Sequence, residues 1–131
     1  MIRAQRDFWQ RQTVRRVAPA PERRTHIAIA DLLRSKCRYG WIWSHIANGE
    51  LRTEKTGALL QRMGVRRGLF DFLLISPTGQ HYWLELKRGT ARLSAYQEEF
   101  GAALRRCGVP YHVAHSFYDA ETKLREWGVI T

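Results

Sequence analysis

Two apolar stretches in the middle of the chain predict a β-hairpin. Residues 69–75 and 81–87 are rich in the aromatic and aliphatic side chains that are typical of strands, and a segment containing Pro and Gly separates them as a turn would. Because side chains alternate across a strand, Glu85 and Lys87 share one face. Pairing of the two strands can bring Asp71 beside them.

The pattern on either side of the hairpin predicts helices and two further strands. In chain order the predicted elements are a helix at 22–36, a strand at 41–46, a short helix within 51–63, the hairpin, a helix capped by Ser94, a strand at 111–114 and a helix at 119–127. The strong elements follow the order α-β-β-β-α-β-α. This order predicts an α/β fold in which helices flank a mixed sheet, as in restriction endonucleases.

The helix after Ser94 has apolar residues at helical spacing. These residues are predicted to form its buried side: Tyr96, Phe100, Ala103, Leu104 and Cys107. Cys107 and Cys37 are far apart in the sequence, and each lies near the end of a predicted helix. We therefore expect two small buried thiols rather than a disulfide or a metal pair.

Asp71, Glu85 and Lys87 are charged residues within apolar strands. A charge in such a setting is costly unless it is paired or binds a metal. One interpretation is a salt bridge between Lys87 and a carboxylate at a strand edge, with Asp71 as a strand-end residue. The other is a site in which two carboxylates hold a metal ion, which the position of Asp71 one strand earlier favours.

The chain of 131 residues carries a net charge of +10 and has a pI near 10.4. Such an excess of positive charge favours a polyanionic partner such as nucleic acid, because each phosphate that the protein neutralises releases counterions and adds affinity. Half of the net charge lies in residues 1–24, so we predict a basic arm at 1–21 and a single domain at 22–131; a solvated terminus is the alternative for the arm. No apolar run approaches the roughly 18 residues of a membrane span, and a cytoplasmic protein is expected.

The ordered combination of motifs resembles a known family. Gly68-Leu69-Phe70-Asp71, a hairpin, Glu85-Leu86-Lys87 and Leu93-Ser94-Ala95-Tyr96-Gln97 are similar to the virus-type replication-repair nuclease (VRR-NUC) domain, a branch of the PD-(D/E)xK nucleases. The segments 48–52 and 63–68 resemble small bacterial and phage members, and the whole similarity covers residues 22–127. Phe70 stands where the family more often has proline, a position that ligates nothing.

The resemblance implies a metal centre. Asp71 and Glu85 would hold Mg²⁺ or Mn²⁺ together with the backbone carbonyl of Leu86, since these ions prefer oxygen ligands. Lys87 would orient the attacking water or stabilise charge on the transition state. This chemistry is metal-ion catalysis of phosphodiester hydrolysis.

Two further positions each have two interpretations. Gln97 would orient Lys87 or the water by resemblance, but Ser94-x-x-Gln97 also matches a capping box. Glu22 and His26 lie four apart on one helix face. By resemblance, Glu22 matches a family glutamate that reaches metal-bound water, and His26 lies where a polar partner of that glutamate is often found. The alternative for both residues is a solvated helix start, since acidic residues favour the first turn.

Polar residues around the predicted metal would suit contacts with the DNA backbone. They are Asn48, Arg52, Arg66, Arg67, Arg88 and His26. For the arginines that flank the predicted metal, surface solubility is the alternative role.

The resemblance to the stand-alone family members implies a metal-dependent DNA endonuclease that is structure-selective, in the manner of a Holliday-junction resolvase, and that acts on branched DNA as a homodimer. The alternative is a non-catalytic nucleic-acid-binding protein on a nuclease fold. An RNA-binding module with stacking tryptophans is a third, weaker hypothesis.

Overall fold

The computed structural model describes residues 21–47 and 54–131. Within these ranges the elements are, in order, α1 (Pro21–Lys36), β1 (Ile42–His45), α2 (Glu54–Arg62), β2 (Phe72–Ile75), β3 (His81–Leu86), α3 (Ala95–Arg106), β4 (Tyr111–Ala114) and α4 (Phe117–Glu126). The hairpin, the flanking helices and the strand after α3 are all where the sequence predicts them.

The described strands form one mixed sheet in the order β1-β2-β3-β4. β1 and β2 pair antiparallel, with His45 opposite Phe72, and β2 and β3 pair antiparallel, with Phe72 opposite Leu84. β3 and β4 pair parallel, and α3 forms the crossover between them. A parallel pair requires such a long connection, so the one helix between β3 and β4 accounts for the mixed sheet.

Helices cover both faces of the sheet. On one face, α1 and α4 pack on the central strands through a buried cluster: Ile29, Ala30, Leu33, Phe72, Leu74, Leu84, Ala114, Ala120, Leu124, Val129 and Ile130. On the other face, α3 packs through Phe100 and Leu104 on Phe70, with Trp83 and Tyr111 against this second cluster. Because Trp83 and Glu85 have the same parity on β3, Glu85 belongs to the α3 face.

The predicted fold class is confirmed, with differences in detail. The short helix that the sequence placed within 51–63 is present as α2, between β1 and β2. The prediction for the buried side of α3 is wrong at both ends, since Tyr96 is half-exposed and Cys107 is exposed. Cys37, at the end of α1, is only partly buried.

The difference at α3 has a physical cause. The helix buries Phe100, Gly101 and Leu104, and Gly101 lies so close to Tyr111 that a Cβ there would come within 3.0 Å of the Tyr111 hydroxyl. A glycine that permits close approach carries no apolar signal in the sequence. The buried surface of α3 is centred on Gly101, which an apolar pattern does not include. The pattern predicts burial of Tyr96 and Cys107 at the two ends instead, and both are exposed.

The predicted basic arm and the turn at 48–49 lie outside the described residues. Within the described ranges, every helix is too short or too polar to traverse a bilayer.

Candidate active site

Three strand ends meet at Asp71. β1 ends at His45, β2 begins one residue after Asp71, and β3 ends at Leu86. The carbonyl oxygen of Asp71 accepts hydrogen bonds from the Ile46 amide and from Nδ1 of His45, each at 2.8 Å. The backbone of Asp71 is thus fixed from the β1 side.

Asp71 and Glu85 hold each other through backbone amides on the β3 side. The amide of Asp71 donates to Oε1 of Glu85 at 3.1 Å. The amide of Leu86 donates to Oδ2 of Asp71 at 2.8 Å. Each carboxylate is therefore anchored by the strand that carries the other, and the two acidic side chains converge as the sequence predicted.

The Glu85 side chain is almost fully buried, with 4% of its surface exposed. Its second oxygen, Oε2, accepts a hydrogen bond from Nε2 of Gln97 at 2.8 Å and lies 3.1 Å from Nζ of Lys87. A buried carboxylate with these partners is satisfied as a hydrogen-bonding group. The salt bridge that was one interpretation of Lys87 exists, and it lies inside the acidic cluster.

The pKa of Glu85 is raised from its ordinary value of 4.5 to about 7. Burial is the largest cause, followed by the nearby Asp71 carboxylate and a hydrogen bond with it; Lys87 opposes these effects and lowers the pKa. Two carboxylates in one partly dry site disfavour simultaneous ionisation. One ammonium does not offset this repulsion.

Gln97 takes both of the roles that the sequence left open. Its side-chain Oε1 accepts a hydrogen bond from the backbone amide of Ser94 at 3.1 Å. Its backbone amide donates to the Ser94 hydroxyl at 3.2 Å, and the two bonds form a complete capping box. The Nε2 group on the same side chain donates to Glu85. The cap fixes the amide orientation, so the start of α3 holds the Gln97 donor toward the carboxylate.

His26 and His45 complete the cluster on the α1 face. Nδ1 of His26 lies 3.9 Å from Oδ1 of Asp71, and the two imidazole rings contact edge to face with centroids 4.3 Å apart. Both rings pack on Phe72. His26 was a predicted site residue, but His45 was missed; the available signal was a histidine at the end of an aromatic strand.

No protein-family model and no curated protein matches this sequence. A solved structure described as "VRR_NUC domain" is similar to the chain with a TM-score of 0.57 and 19% sequence identity, and the match covers 82% of this chain and 97% of that one. The fold is that of a VRR_NUC domain. The resemblance inferred from the motifs is thereby confirmed for the fold.

Within the VRR_NUC fold of this chain, a glycine sets the distance between the start of β2 and α3. Gly68 has a φ of +79°, and a Cβ at this position would lie 2.5 Å from the carbonyl carbon of Tyr96. The segment that leads to Asp71 therefore passes directly against the first turn of α3. Asp71 and Gln97, which follow Gly68 and Tyr96 in the chain, bond to different oxygens of Glu85.

Two of the predicted DNA-contacting arginines lie against α3, and a third follows β3. The Arg66 guanidinium lies over the Phe100 ring, and that of Arg67 over the Tyr96 ring, each 5.5 Å from the ring centroid. Arg88 is exposed immediately after Lys87. Asn48, Arg52 and the side chain of Glu22 lie outside the described residues, so their predicted roles stay predictions.

Two overlapping sets of donors could hold a cation in this VRR_NUC fold. The first is the carboxylate pair of Asp71 and Glu85. The second is His26, His45 and Asp71, each of which offers a ligand atom within 4.8 Å of the other two. Asp71 belongs to both sets because it lies between the two faces of the sheet.

Proposed function

We propose that this protein is a metal-dependent endonuclease that hydrolyses phosphodiester bonds in DNA. The observation that supports the proposal best is the buried carboxylate of Glu85. It lies beside Asp71 and is contacted by both Lys87 and Gln97 at the end of the sheet. A salt bridge by itself would account for Lys87 and Glu85 but not for a second carboxylate held beside them.

The carboxylate pair fits Mg²⁺ or Mn²⁺ as the cation. Both ions prefer oxygen ligands. Burial, followed by the nearby Asp71 carboxylate, raises the pKa of Glu85, and a bound cation would offset both effects. Asp71 and Glu85 would hold the ion with the Leu86 carbonyl. When bound, the ion would lower the pKa of a coordinated water and neutralise charge on the scissile phosphate.

The remaining residues have distinct tasks in this scheme. Lys87 places an ammonium 3.1 Å from Oε2 of Glu85, where it can orient a water molecule or stabilise charge that develops on the phosphate. Gln97 is a positioning residue, since it holds Oε2 of Glu85 from the capped start of α3. Glu22 is the candidate for a further acidic contact to a metal-bound water.

The DNA backbone would lie along the basic surface beside this site. Arg66 and Arg67 lie on rings of α3, the helix that also carries Gln97, and Arg88 follows Lys87 in the chain. Guanidinium groups suit phosphate recognition because they form bidentate hydrogen bonds. Arg52, Asn48 and His26 are proposed to extend this surface. The net charge of +10 adds affinity that does not depend on sequence.

The decisive experiment compares the full chain with Asp71→Ala on labelled duplex, flap, single-stranded and four-way-junction DNA, each with Mg²⁺, Mn²⁺ or EDTA. We expect cleavage only by the wild type and only with metal. Asp31→Ala is the matched control, since Asp31 is an exposed aspartate on α1 that pairs with Arg34. Cleavage by Asp71→Ala, or by no protein under any condition, would reject the enzymatic function.

A finer proposal is that the enzyme is structure-selective and cuts four-way junctions as a homodimer. Paired incisions across a junction need two active sites related by symmetry, and each chain supplies one carboxylate pair. Light scattering should give twice the 15.3 kDa chain mass at the concentrations that cleave junctions. A monomer that cleaves all four substrates equally would remove the junction assignment and leave the nuclease activity in place.

A further inference from the structure

His26, His45 and Asp71 form a mixed nitrogen and oxygen cluster on the α1 side of the sheet. Their candidate ligand atoms all lie within 4.8 Å of one another. Glu85 is on the opposite, α3 side, and it contacts Asp71 through the backbone amide. The two histidines and Glu85 therefore lie on opposite sides of Asp71, which is common to both sets of donors.

The distance between His26 and Asp71 suits two ligands of one ion better than a hydrogen bond. Nδ1 of His26 and Oδ1 of Asp71 are 3.9 Å apart, which exceeds the usual limit for a hydrogen bond. Ligands on a tetrahedral ion with bonds near 2.1 Å are about 3.4 Å apart. A shift of roughly half an ångström would give that geometry.

The hydrogen bond of His45 prepares its ring for metal binding. A carbonyl oxygen can only accept, so Nδ1 of His45 must donate its proton to the Asp71 carbonyl at 2.8 Å. In the neutral ring this bond places the proton on Nδ1, which makes Nε2 the nitrogen that would coordinate a metal. Metal-binding histidines are commonly held by such supporting hydrogen bonds.

The cluster is open to solvent on one side. The side chains of His26 and Asp71 are 25% and 26% exposed. Both histidines line a cleft of about 600 Å³ that continues between α1 and β1 past Trp43. An ion can reach the cluster through this cleft and keep water in its remaining coordination positions.

We propose that His26, His45 and Asp71 form a second cation site, selective for late first-row divalent ions such as Co²⁺ and Zn²⁺. Imidazole binds these ions well, whereas Mg²⁺ prefers oxygen ligands. The site would use Oδ1 of Asp71 on the α1 side, while Oδ2 faces the Leu86 amide. Its existence does not require that the chain cleaves DNA.

The test is titration of the untagged full chain with Co²⁺ in excess Mg²⁺ and without DNA, followed by visible absorption and calorimetry. The variants are His26→Gln, His45→Gln and Glu85→Gln. His81→Gln is the matched control, because His81 is an exposed histidine at the other end of β3. Circular dichroism and melting temperature establish that each variant is folded.

We expect one strong Co²⁺ site in the wild type, in His81→Gln and in Glu85→Gln. In His26→Gln the affinity should fall roughly 10–100-fold or more. His45→Gln should show the same loss, and His26→Gln remains decisive if removal of the His45 hydrogen bond impairs folding.

Three outcomes would overturn the proposal. They are no Co²⁺ binding by the wild type, unchanged binding in His26→Gln, and loss of binding in Glu85→Gln. The last result would mean that the ion occupies the carboxylate pair. Because no DNA is present, a failed nuclease assay and a failed Co²⁺ titration have separate meanings.

Discussion

Gln97 links the stability of α3 to the position of the Glu85 carboxylate. Ser94 shares the first of these roles but not the second, because its hydroxyl and amide both bond to Gln97 and not to Glu85. A comparison of substitutions at the two positions therefore separates helix capping from the chemistry of the site.

Gln97→Ala and Ser94→Ala should both lower the free energy of unfolding by about 1 kcal/mol, because each removes part of the capping box. Only Gln97→Ala should also lower the cleavage rate, by roughly 10–100-fold, because it removes the donor to Glu85. Ser94→Ala keeps the backbone amide that holds Oε1 of Gln97. Urea unfolding and single-turnover cleavage measure the two effects. Equal losses of cleavage in the two variants would show that the cap alone accounts for Gln97.

The raised pKa of Glu85 makes stability depend on pH. In the folded protein this pKa is about 7, against an ordinary value of 4.5, so between these pH values the folded state binds a proton that the unfolded state releases. The contribution of Glu85 to the free energy of unfolding of the metal-free protein should therefore fall as the pH rises from about 4.5 to about 7. The expected contribution is on the order of 3 kcal/mol.

Urea unfolding in EDTA across this range, for the wild type and Glu85→Gln, isolates the contribution of Glu85. With rising pH, the free energy of unfolding should fall less in Glu85→Gln than in the wild type. This comparison holds whatever the difference in overall stability between the two proteins. The matched control is Glu99→Gln, an exposed glutamate on α3, which should keep the wild-type slope. Parallel curves for Glu85→Gln and the wild type would contradict the shift.

At the scale of elements, the approach of the β2 entry to α3 depends on Gly68. Alanine at this position would have to adopt a positive φ and would place its Cβ 2.5 Å from the backbone of Tyr96. Gly79 in the hairpin turn has a similar φ of +88° with open space around it. The two glycines thus share the conformational constraint and differ in the close contact.

Gly68→Ala should be less stable than Gly79→Ala by roughly 1–3 kcal/mol, the usual cost of an overpacked contact, and only Gly68→Ala should lose cleavage. The conformational strain, common to both, costs about 1–3 kcal/mol. Chemical unfolding and a cleavage assay on both variants test this. Equal destabilisation of the two would mean that the contact with Tyr96 relaxes at little cost.

The elements themselves were largely predictable from the sequence, because each rests on a local signal. The apolar runs that contain Asp71 and Glu85 gave the hairpin, and Ser94 gave the start of α3. The misassigned ends of α3 depended on tertiary contacts instead: Tyr96 lies against the Arg67 guanidinium, and Gly101 takes the buried position beneath Tyr111.

At the scale of the whole molecule, the carboxylate pair was predictable and the histidine pair was not. Asp71 and Glu85 lie on the two strands of one hairpin, so local pairing brings them together. His26 and His45 meet only because α1 packs across β1 and β2, against Phe72. No spacing rule connects a helix to a strand through a layer of packing.

The distribution of positive charge yields a prediction for DNA binding. If Arg66, Arg67 and Arg88 contact phosphates, replacing all three with glutamine should lower the slope of log K against log salt by about 1 for each arginine. The slope is measured by fluorescence anisotropy of labelled DNA from low to physiological salt. All proteins in this comparison carry Asp71→Ala, so that the DNA is bound without being cleaved. The loss of affinity should be similar for unrelated DNA sequences, since phosphate contacts do not distinguish bases.

Arg106→Gln is the control for this measurement. Arg106 is exposed at the last residue of α3, and a helix of 12 residues separates it from the capped end by about 18 Å. Its removal lowers the net charge by one without touching the surface around Lys87, so its effect reports charge alone. If the change in salt slope per arginine in the triple variant equalled the change in Arg106→Gln, total charge alone would attract the DNA. The DNA would then not be held at the end of the sheet where Asp71 and Glu85 converge.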